Sequence, residues 1–502
     1  MTKIGFKNFR KFEEFPTIEL GGCTFLVGPN NSGKSSFLKA FMLLMSNLKR
    51  LQPSGVSTPF LKDFSFDVNG HSEHFYLGDF FSNLNDKSGD NTITFIFEKD
   101  GIEYSITLDG SHLSADSGQI APLRRTYLNF SKLSIRLEWS FSSPFDGTLK
   151  YCYDPEILIN QLNLLSNGES HDLANDFLMR ALWVTAQGIP DFFGKIFHNI
   201  KTQKFSVSGD MIKKNSFVAK LSQKKGPQSF TEHFYTNDAN VSLNKASKRD
   251  SAITDILKNI LIIAQKRLRE NTEFMYIEAH NASHKNLLNP EDKNDYLAQS
   301  VNKYQNASVD KAKSKQFIEH WMQEFCIGDS FEIKSIYNEA YAVNIISNNG
   351  QIKPIGVLGT GSIQLFILLL NIATIIAKDE NKTICVEEPE QNLHPELQSK
   401  LANLFYQVWN ETRGKVNFIV ETHSEYLIRQ TQIIVASGID TGGHTTDEMN
   451  EIMKVYYFPK ENLPYSMDYS STGYFERQFG PEFYGQTVSL MRELFKIERG
   501  LK

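Results

Sequence analysis

The chain has 502 residues, of which 58 are acidic and 53 basic, and its formal net charge is −5. Hydrophobic residues make up 40% and charged residues 22%, which excludes a largely disordered, collagen-like or purely coiled-coil protein. The length predicts two or three structural units. A slightly acidic total argues against a protein coated in positive charge, but it is compatible with a local basic face for nucleic acid.

The cysteines and the apolar segments indicate the cellular compartment. The four cysteines are too few for a disulfide scaffold and badly spaced for structural zinc; they are Cys23, Cys152, Cys326 and Cys385. The N-terminus, MTKIGFKNFRKF, has no apolar signal core. The longest apolar run, 363–377, is shorter than the roughly 20 residues that a membrane span needs. We expect a cytoplasmic protein that does not enter a membrane.

The first 110 residues predict mainly strands. An apolar strand, Cys23–Val27, is followed by a loop and by a helix over 36–45. Residues 92–97 and 103–108 alternate apolar and polar side chains around an Asp-Gly turn, the pattern of a β-hairpin.

The middle of the chain predicts helices and a basic stretch. Helices are expected over 155–167, 172–187 and 251–270. Residues 201–250 hold ten Lys/Arg and four Asp/Glu, an excess of six positive charges. Both a solvated insertion and a nucleic-acid-facing surface are compatible with this stretch.

From residue 331 the pattern becomes regular. Strands and helices alternate, which indicates a mostly parallel sheet covered by helices. The predicted elements are strands within 331–347, a helix over 362–378, a strand over 383–386, a helix over 395–409, a strand over 417–420 and a helix from near Ser424.

The loop after the first apolar strand matches the pattern G-x-x-x-x-G-K-[ST] at every fixed position. Its residues are Gly28, Pro29, Asn30, Asn31, Ser32, Gly33, Lys34 and Ser35. Glycines let the backbone wrap around phosphate oxygens, with its amides pointing inward at a helix N-terminus. Lys34 would reach the β- and γ-phosphates, and Ser35 would supply a hydroxyl ligand to Mg²⁺.

A second apolar strand ends in carboxylates. The tract TICVEEPE places Glu387 and Glu388 at the strand end, and such side chains reach the sheet edge where the phosphate loop also lies. One carboxylate can hold the Mg²⁺ hydration shell, while the next orients or deprotonates an attacking water.

Two further segments complete the candidate site. The strand FIVETHS runs into His423, which could contact the γ-phosphate, and into Ser424, which could cap the following helix. The segment GTGSIQ (359–364) starts a helix with small residues, which suits either an anion site or an ordinary N-cap.

The order of these motifs resembles the ATP-binding cassette (ABC) ATPases, and within them the branch containing SMC, RecF and OLD-type proteins. The motifs that carry the resemblance are NFRKF, GPNNSGKSS, GTGSIQ, EEPEQNLHP and ETHS, which lie within residues 1–45 and 331–430. The resemblance implies a P-loop NTPase of the α/β class, an ABC-type ATPase head with a mixed sheet and helices and an inserted α+β or helical region. It further implies ATP and Mg²⁺ as cofactors.

The resemblance also implies roles for individual residues. Glu387 matches the Walker B acid that supports the metal together with Ser35, and Glu388 and His423 match the catalytic glutamate and the switch histidine. Residues 359–364 match the signature motif, which acts in trans on a second subunit's ATP, and Asn392-Leu393-His394-Pro395 match a loop that crosses the dimer interface. Asp79 is the candidate for the glutamine loop. The implied nucleotide-binding residues are Gly28, Pro29, Asn30, Asn31, Ser32, Gly33, Lys34, Ser35, Ser36, Gly361 and Ser362.

This sequence departs from the family pattern at two places. Glu387 stands where Asp is usual, and the signature is not LSGGQ. The tract from Ile277 to His284 invites comparison with an HNH nuclease, but it lacks a ββα-metal context, so we expect it near the nucleotide or an interface.

The segments around the motifs indicate which subtype of these ATPases the chain resembles. Residues 110–335 carry no long heptad arms, and no DxD pair follows His423, so we expect an ATPase without the nuclease of OLD proteins. Similar stand-alone ATPases occur in antiphage defence systems such as Septu and some retrons, where they control a separate nuclease or toxin.

The sequence is compatible with three functions and predicts one domain layout. The first function is an oligomeric defence ATPase with an effector partner, the second a RecF- or SMC-like DNA repair or recombination ATPase, and the third an ATP-gated scaffold with little turnover. We predict a first ATPase part over 1–110, an insertion over 111–330 and a second ATPase part over 331–502.

Overall fold

The computed structural model describes residues 2–51, 61, 63–70, 73–113, 119–131, 134–143, 146–153, 228–237, 240–243, 264–279, 282–307, 311–337, 339–347, 349–480 and 483. The helices predicted over 155–167 and 172–187 lie outside these residues, as does most of the basic stretch 201–250. Of the helix predicted over 251–270, the structure describes residues 264–269, which are helical.

Strands occur along the whole described chain. In chain order they are β1 (Thr2–Phe9), β2 (Phe12–Leu20), β3 (Cys23–Val27), β4 (Asp63–Ser65), β5 (Asp67–Gly70), β6 (Glu73–Tyr76), β7 (Thr92–Lys99), β8 (Ile102–Asp109), β9 (Ile120–Phe130), β10 (Ile135–Ser143), β11 (Asp146–Tyr153), β12 (Gln228–Asn237), β13 (Asn240–Leu243), β14 (Phe274–Ile277), β15 (Ser330–Ile336), β16 (Ala340–Ile346), β17 (Ile352–Pro354), β18 (Lys382–Glu387), β19 (Val416–Thr422), β20 (Met453–Tyr457) and β21 (Tyr465–Ser466).

Most of the helices among the described residues lie in the second half of the chain. Those with both ends among the described residues are α1 (Lys34–Lys49), α2 (Phe80–Asn83), α3 (Tyr296–Asn306), α4 (Lys311–Glu324), α5 (Thr360–Ala377), α6 (Pro395–Glu411), α7 (Glu425–Asp440) and α8 (Thr446–Ile452), with a 3-10 helix at Ile355–Val357.

Contacts divide the chain into two compact units. The first comprises Met1–Glu19 and Lys39–Thr272, and the second comprises Leu20–Leu38 and Glu273–Lys502. The phosphate loop therefore belongs to the same unit as the C-terminal motifs. The domain boundaries predicted at residues 110 and 330 divide the chain differently, and they stay predictions.

The first unit is built on a ten-stranded sheet with the order β13-β12-β11-β10-β9-β8-β7-β1-β2, in which β4 also pairs with β9. The predicted hairpin is confirmed as β7 and β8, which pair antiparallel. Its turn residues Asp100 and Gly101 have φ values of 51° and 80°, the two positive values that a tight two-residue hairpin turn requires.

The second unit contains a six-stranded sheet with the order β14-β18-β19-β3-β20-β21. Its pairs are parallel except that of β20 with β21. The predicted mostly parallel sheet and its helices are confirmed. In this order β19 lies between β3, which leads into the phosphate loop, and β18, which ends in the predicted acids.

Helix α5 forms the centre of the second unit. It packs against α3 and α4, and α6 packs against β3, β19 and α7. Among the described residues α5 is the one helix long and apolar enough to cross a membrane, but 72% of it is buried inside the protein. Packing in the core therefore accounts for its apolar sequence.

Candidate functional site

The phosphate loop has the backbone conformation that its glycines allow. Gly28 and Gly33 have φ values of 146° and 102°, and Asn31 has 61°. A Cβ on Gly28 would lie 2.2 Å from the carbonyl oxygen of Phe458, so only glycine fits this close approach. Helix α1 begins directly after the loop and presents its free N-terminal amides there.

Lys34 is buried inside this loop. Its side chain is 2% exposed. The ammonium group donates hydrogen bonds to the carbonyl oxygens of Gly28 and Pro29, each at 3.0 Å. The carboxylate oxygen Oε1 of Glu421 lies 3.9 Å from Nζ. A buried ammonium group requires such partners, so the loop holds a positive charge at its centre.

Glu421 is the residue that the sequence analysis missed. Its carboxylate oxygen Oε1 accepts a hydrogen bond from the Ser35 hydroxyl at 2.9 Å. Its Oε2 atom is buried and has no hydrogen-bond partner among the described residues. The signal was present in the sequence, because Glu421 ends an apolar strand in the same way as Glu387.

Glu388 follows β18 in a strained conformation. Its φ is 44°, a backbone value that residues other than glycine rarely adopt and that occurs at functional sites. Its backbone N–H donates to the carbonyl of Glu421 at 2.8 Å. Its carboxylate receives a hydrogen bond from the Gln391 amide, and its Oε1 lies 3.5 Å from Nε2 of His423.

Glu390 binds the backbone of His423 and holds it in place. It is 7% exposed, and its Oε1 accepts a hydrogen bond from the backbone N–H of His423 at 2.6 Å. Burial raises the pKa of Glu390, opposed by its hydrogen bonds. The predicted cap is confirmed, because the Ser424 hydroxyl accepts from the N–H of Leu427 at 3.1 Å. These contacts hold His423 at the start of α7.

Burial and the nearby charge of Lys34 shift the pKa values of two residues in the site. Burial raises the pKa of Glu421 to about 7, and Lys34 and Ser35 oppose the shift. Burial, and then the Lys34 charge, lower the pKa of His423, while Glu388 opposes them. The histidine is therefore neutral at pH 7. Ligand atoms of Glu388, Glu421 and His423 lie within 4.8 Å of one another, an arrangement that can hold a divalent cation.

The signature segment contacts two other parts of the unit. A Cβ on Gly361 would lie 2.5 Å from the carbonyl oxygen of Asn392, so the start of α5 packs tightly on the loop after the acidic strand. Gln364 donates to the carbonyl of Ala279 at 2.6 Å and accepts from Asn392 at 3.3 Å. His284 contacts the Thr360 hydroxyl at 3.2 Å. Ala279 and His284 thus contact the signature segment directly.

Asp79 has a structural role in the first unit. It caps helix α2, and its side chain accepts from the N–H of Ser82 at 2.8 Å in a capping box. Its assignment to the glutamine loop stays a prediction.

The structure thus brings Lys34, Ser35, Glu388 and His423 together, and adds Glu421 and Glu390 to them. A parallel sheet, a phosphate loop between a strand and a helix, and acids at the neighbouring strand ends define the P-loop NTPase fold of the α/β class. The chain belongs to the AAA ATPase domain family, whose pattern matches residues 1–428. Membership implies nucleotide binding.

Solved structures to which the chain is similar include SMC head domains. One is the SMC head domain from Thermotoga maritima, with 12% identity, 93% of this chain and 98% of that chain covered, and a TM-score of 0.34. Another is the Smc head domain with a coiled coil and joint from Pyrococcus yayanosii, with 11% identity, 99% and 100% covered, and a TM-score of 0.36. The comparison with curated proteins returned no match.

Proposed function

We propose that this protein binds ATP with Mg²⁺ and hydrolyses it to ADP and phosphate. The observation that carries the proposal is the convergence of a buried lysine, a loop serine, two strand-end carboxylates and a histidine within one unit. A structural ion pair explains Lys34 and Glu421 alone. It does not explain the strained Glu388, whose carboxylate is held against His423 beside them.

Phosphate binding is the first task of the site. The amides at the start of α1 and the Lys34 ammonium present positive charge to the β- and γ-phosphates. The residues available to Mg²⁺ are Ser35 and the carboxylates at the ends of β18 and β19, and the partnerless buried oxygen of Glu421 fits a cation. When bound, the metal ion neutralises charge that develops on the phosphate oxygens.

Water activation is the second task. Glu388 accepts the proton of the attacking water or orients it, and Gln391 and His423 hold its carboxylate in place. Because His423 is neutral at pH 7, it can accept or donate a hydrogen bond at the γ-phosphate. Glu390 fixes the histidine backbone for this role.

The third part of the proposal is self-association, with ATP at the interface of two copies. Gly359 supports it, because a Cβ there would meet nothing within 4 Å, so the start of α5 leaves open space beside Gly361 and Ser362. The neighbouring Val357 is 62% exposed. A phosphate-bearing surface of a second copy would fit against this helix start.

The biological role that we propose is control of a separate nuclease or toxin in cytoplasmic antiphage defence. The similarity of the motifs to those of OLD-type proteins supports this role. Co-expression with the products of neighbouring genes tests it. A stable complex and protection from phage that both need an intact Lys34 would support the role, whereas salt-dependent DNA binding without any protein partner would favour DNA repair.

Replacing Glu388 tests the hydrolytic function directly. We expect Glu388→Gln to keep ATP affinity and to slow phosphate release by roughly 100-fold or more, the scale of a lost general base. Glu411→Gln, at the exposed end of α6, is the matched control. Normal turnover in Glu388→Gln would remove this residue from the mechanism and leave Glu387 or Glu390 as the catalytic acid.

A further inference from the structure

The start of helix α5, which carries the signature segment, has no cap from its own sequence. Its N-cap residue is Gly359, which has no side chain to accept from the amides of the first turn. A Cβ on Gly359 would also meet nothing within 4 Å, whereas Gly361 rests on the loop at Asn392. Helix ends without caps fray, so the position of this helix start depends on contacts from elsewhere in the chain.

His284 makes two such contacts with one ring. Its Nδ1 lies 3.2 Å from the carbonyl oxygen of Gly356, and its Nε2 lies 3.2 Å from the hydroxyl oxygen of Thr360. A carbonyl oxygen can only accept, so Nδ1 carries the proton and donates it. In the neutral ring Nε2 then accepts from the Thr360 hydroxyl. One imidazole thus joins the residues on both sides of Gly359.

The backbone around His284 packs against the same part of the chain. A Cβ on Gly356 would lie 2.8 Å from the carbonyl oxygen of His284 and 2.6 Å from Oδ1 of Asn286, so glycine permits the close approach of the two segments. One turn into α5, Gln364 donates to the carbonyl of Ala279 at 2.6 Å. The contact therefore extends from the residues before the helix into its first turns.

The loop that carries His284 is fixed to other elements on both sides of the ring. Before it, the Ser283 hydroxyl donates to the carboxylate of Asp295 at 3.1 Å, and Asp295 is 3% exposed and caps helix α3. After it, Leu288 exchanges two backbone hydrogen bonds of 2.8 and 2.9 Å with Tyr341 of β16. A side chain with such anchored neighbours can hold a partner segment in a defined position.

We propose that His284 is a positioning residue for hydrolysis, which holds the start of α5 where the ATP of a second copy would meet it. The inference rests on the proposed self-association. The ring binds a carbonyl oxygen and a hydroxyl group, so it does not compete with phosphate oxygens for the backbone N–H groups of the helix. A displacement of about 1 Å in a group that positions a reactant can slow a reaction about 100-fold.

His284→Ala tests the proposal through the difference between nucleotide binding and turnover. Affinity for a fluorescent ATP analogue should stay within about threefold of the wild type, because the phosphate loop is untouched, while turnover should fall roughly 10- to 100-fold. His284→Asn keeps a donor for the Gly356 carbonyl and should retain part of the turnover. His320→Ala, at an exposed histidine of α4, is the matched control and should change neither quantity.

Complementation separates positioning of the signature segment from general damage to the fold. In an equal mixture of His284→Ala and Lys34→Ala chains, a mixed dimer combines the intact phosphate loop of the first chain with the intact helix start of the second. Hydrolysis should rise to roughly a quarter of the wild-type rate, because half of the dimers are mixed and each has one working site. A His284→Ala chain with a damaged phosphate loop would give no such rise. Where His284→Ala does not fold, His284→Asn takes its place in the mixture.

The failure of this inference differs from failure of the proposed function. Ser362→Arg, which blocks the signature segment directly, is mixed with Lys34→Ala in parallel. Normal turnover in a folded His284→Ala protein overturns the inference alone, and so does a turnover loss that Lys34→Ala does not restore although it restores Ser362→Arg. If neither mixture recovers, the proposed self-association fails and the inference fails with it. A wild-type protein that binds no nucleotide overturns the proposed function as a whole.

Discussion

The charge of Lys34 is the residue-scale feature on which nucleotide binding depends. Its ammonium group is buried and bonded to the carbonyls of Gly28 and Pro29, so it is held where phosphates would enter the loop. We expect Lys34→Ala to weaken ATP binding by roughly 100-fold or more, the scale of a lost charge-assisted interaction. Calorimetric titration measures it, with Lys39→Ala one turn further along α1 as control. Tight ATP binding by Lys34→Ala would refute the phosphate-loop assignment.

The raised pKa of Glu421 predicts a pH dependence of stability. A carboxyl with a pKa near 4.5 in the unfolded chain and about 7 in the folded protein binds more protons when folded. Its contribution is therefore fully favourable below pH 4.5 and is lost as the pH rises through 7. Without Mg²⁺, wild-type protein should lose more unfolding free energy between pH 5 and pH 8 than Glu421→Gln. Chemical denaturation at both pH values measures the difference, and equal losses would contradict it.

At the scale of elements, the close packing of the start of α5 on the loop at Asn392 predicts a difference in stability between two glycine substitutions. A Cβ on Gly361 would clash with the Asn392 carbonyl, whereas one on Gly359 meets nothing within 4 Å. Gly361→Ala should cost about 1–3 kcal/mol of unfolding free energy, the range for overpacking. Gly359→Ala, with an ordinary φ of −62°, should change it by less than about 0.5 kcal/mol. Thermal and chemical denaturation compare the two variants.

The arrangement of strands explains why these elements act together. Strand β19 carries Glu421 and leads to His423, and it pairs with both β3 and β18. The N–H of Glu388 donates to the Glu421 carbonyl across the end of the β18–β19 pair. The acid, the histidine and the phosphate loop are therefore connected through the single strand β19.

At the scale of the whole molecule, the proposed two-copy site predicts complementation between inactive variants. Lys34→Ala removes the phosphate loop of its own chain, and Ser362→Arg blocks the signature segment that would serve the other chain. In a mixed dimer one composite site keeps both intact parts. Each variant alone should be inactive, and an equal mixture should recover roughly a quarter of wild-type hydrolysis, because half of the dimers are mixed and each has one working site.

Phosphate-release assays on the mixture measure this recovery. A chain that carries both substitutions, mixed with the wild type, is the control for subunit exchange, because a dimer of the two has no intact site: one of its sites lacks Lys34 and the other lacks Ser362. No recovery in the mixture, with exchange demonstrated by differently tagged chains, would show that the signature segment does not act across copies.

The sequence by itself determined the features that depend on local order. The phosphate loop, Lys34, Ser35 and the alternation of strands and helices after residue 331 are contiguous patterns, and hydrogen bonding within a helix or a turn acts over a few residues. The hairpin at Asp100 was predictable for the same reason, because two residues decide its turn. The P-loop NTPase class followed from these motifs and their order.

The tertiary structure alone decided which carboxylate meets the loop. Ser35 and Glu421 are 386 positions apart, and their contact exists because β19 inserts between β3 and β18. Strand order results from the burial of whole sheet faces, which no short segment encodes. For the same reason the sequence could not reveal that Gly361 rests on Asn392, because this contact joins segments that only the folded core brings together.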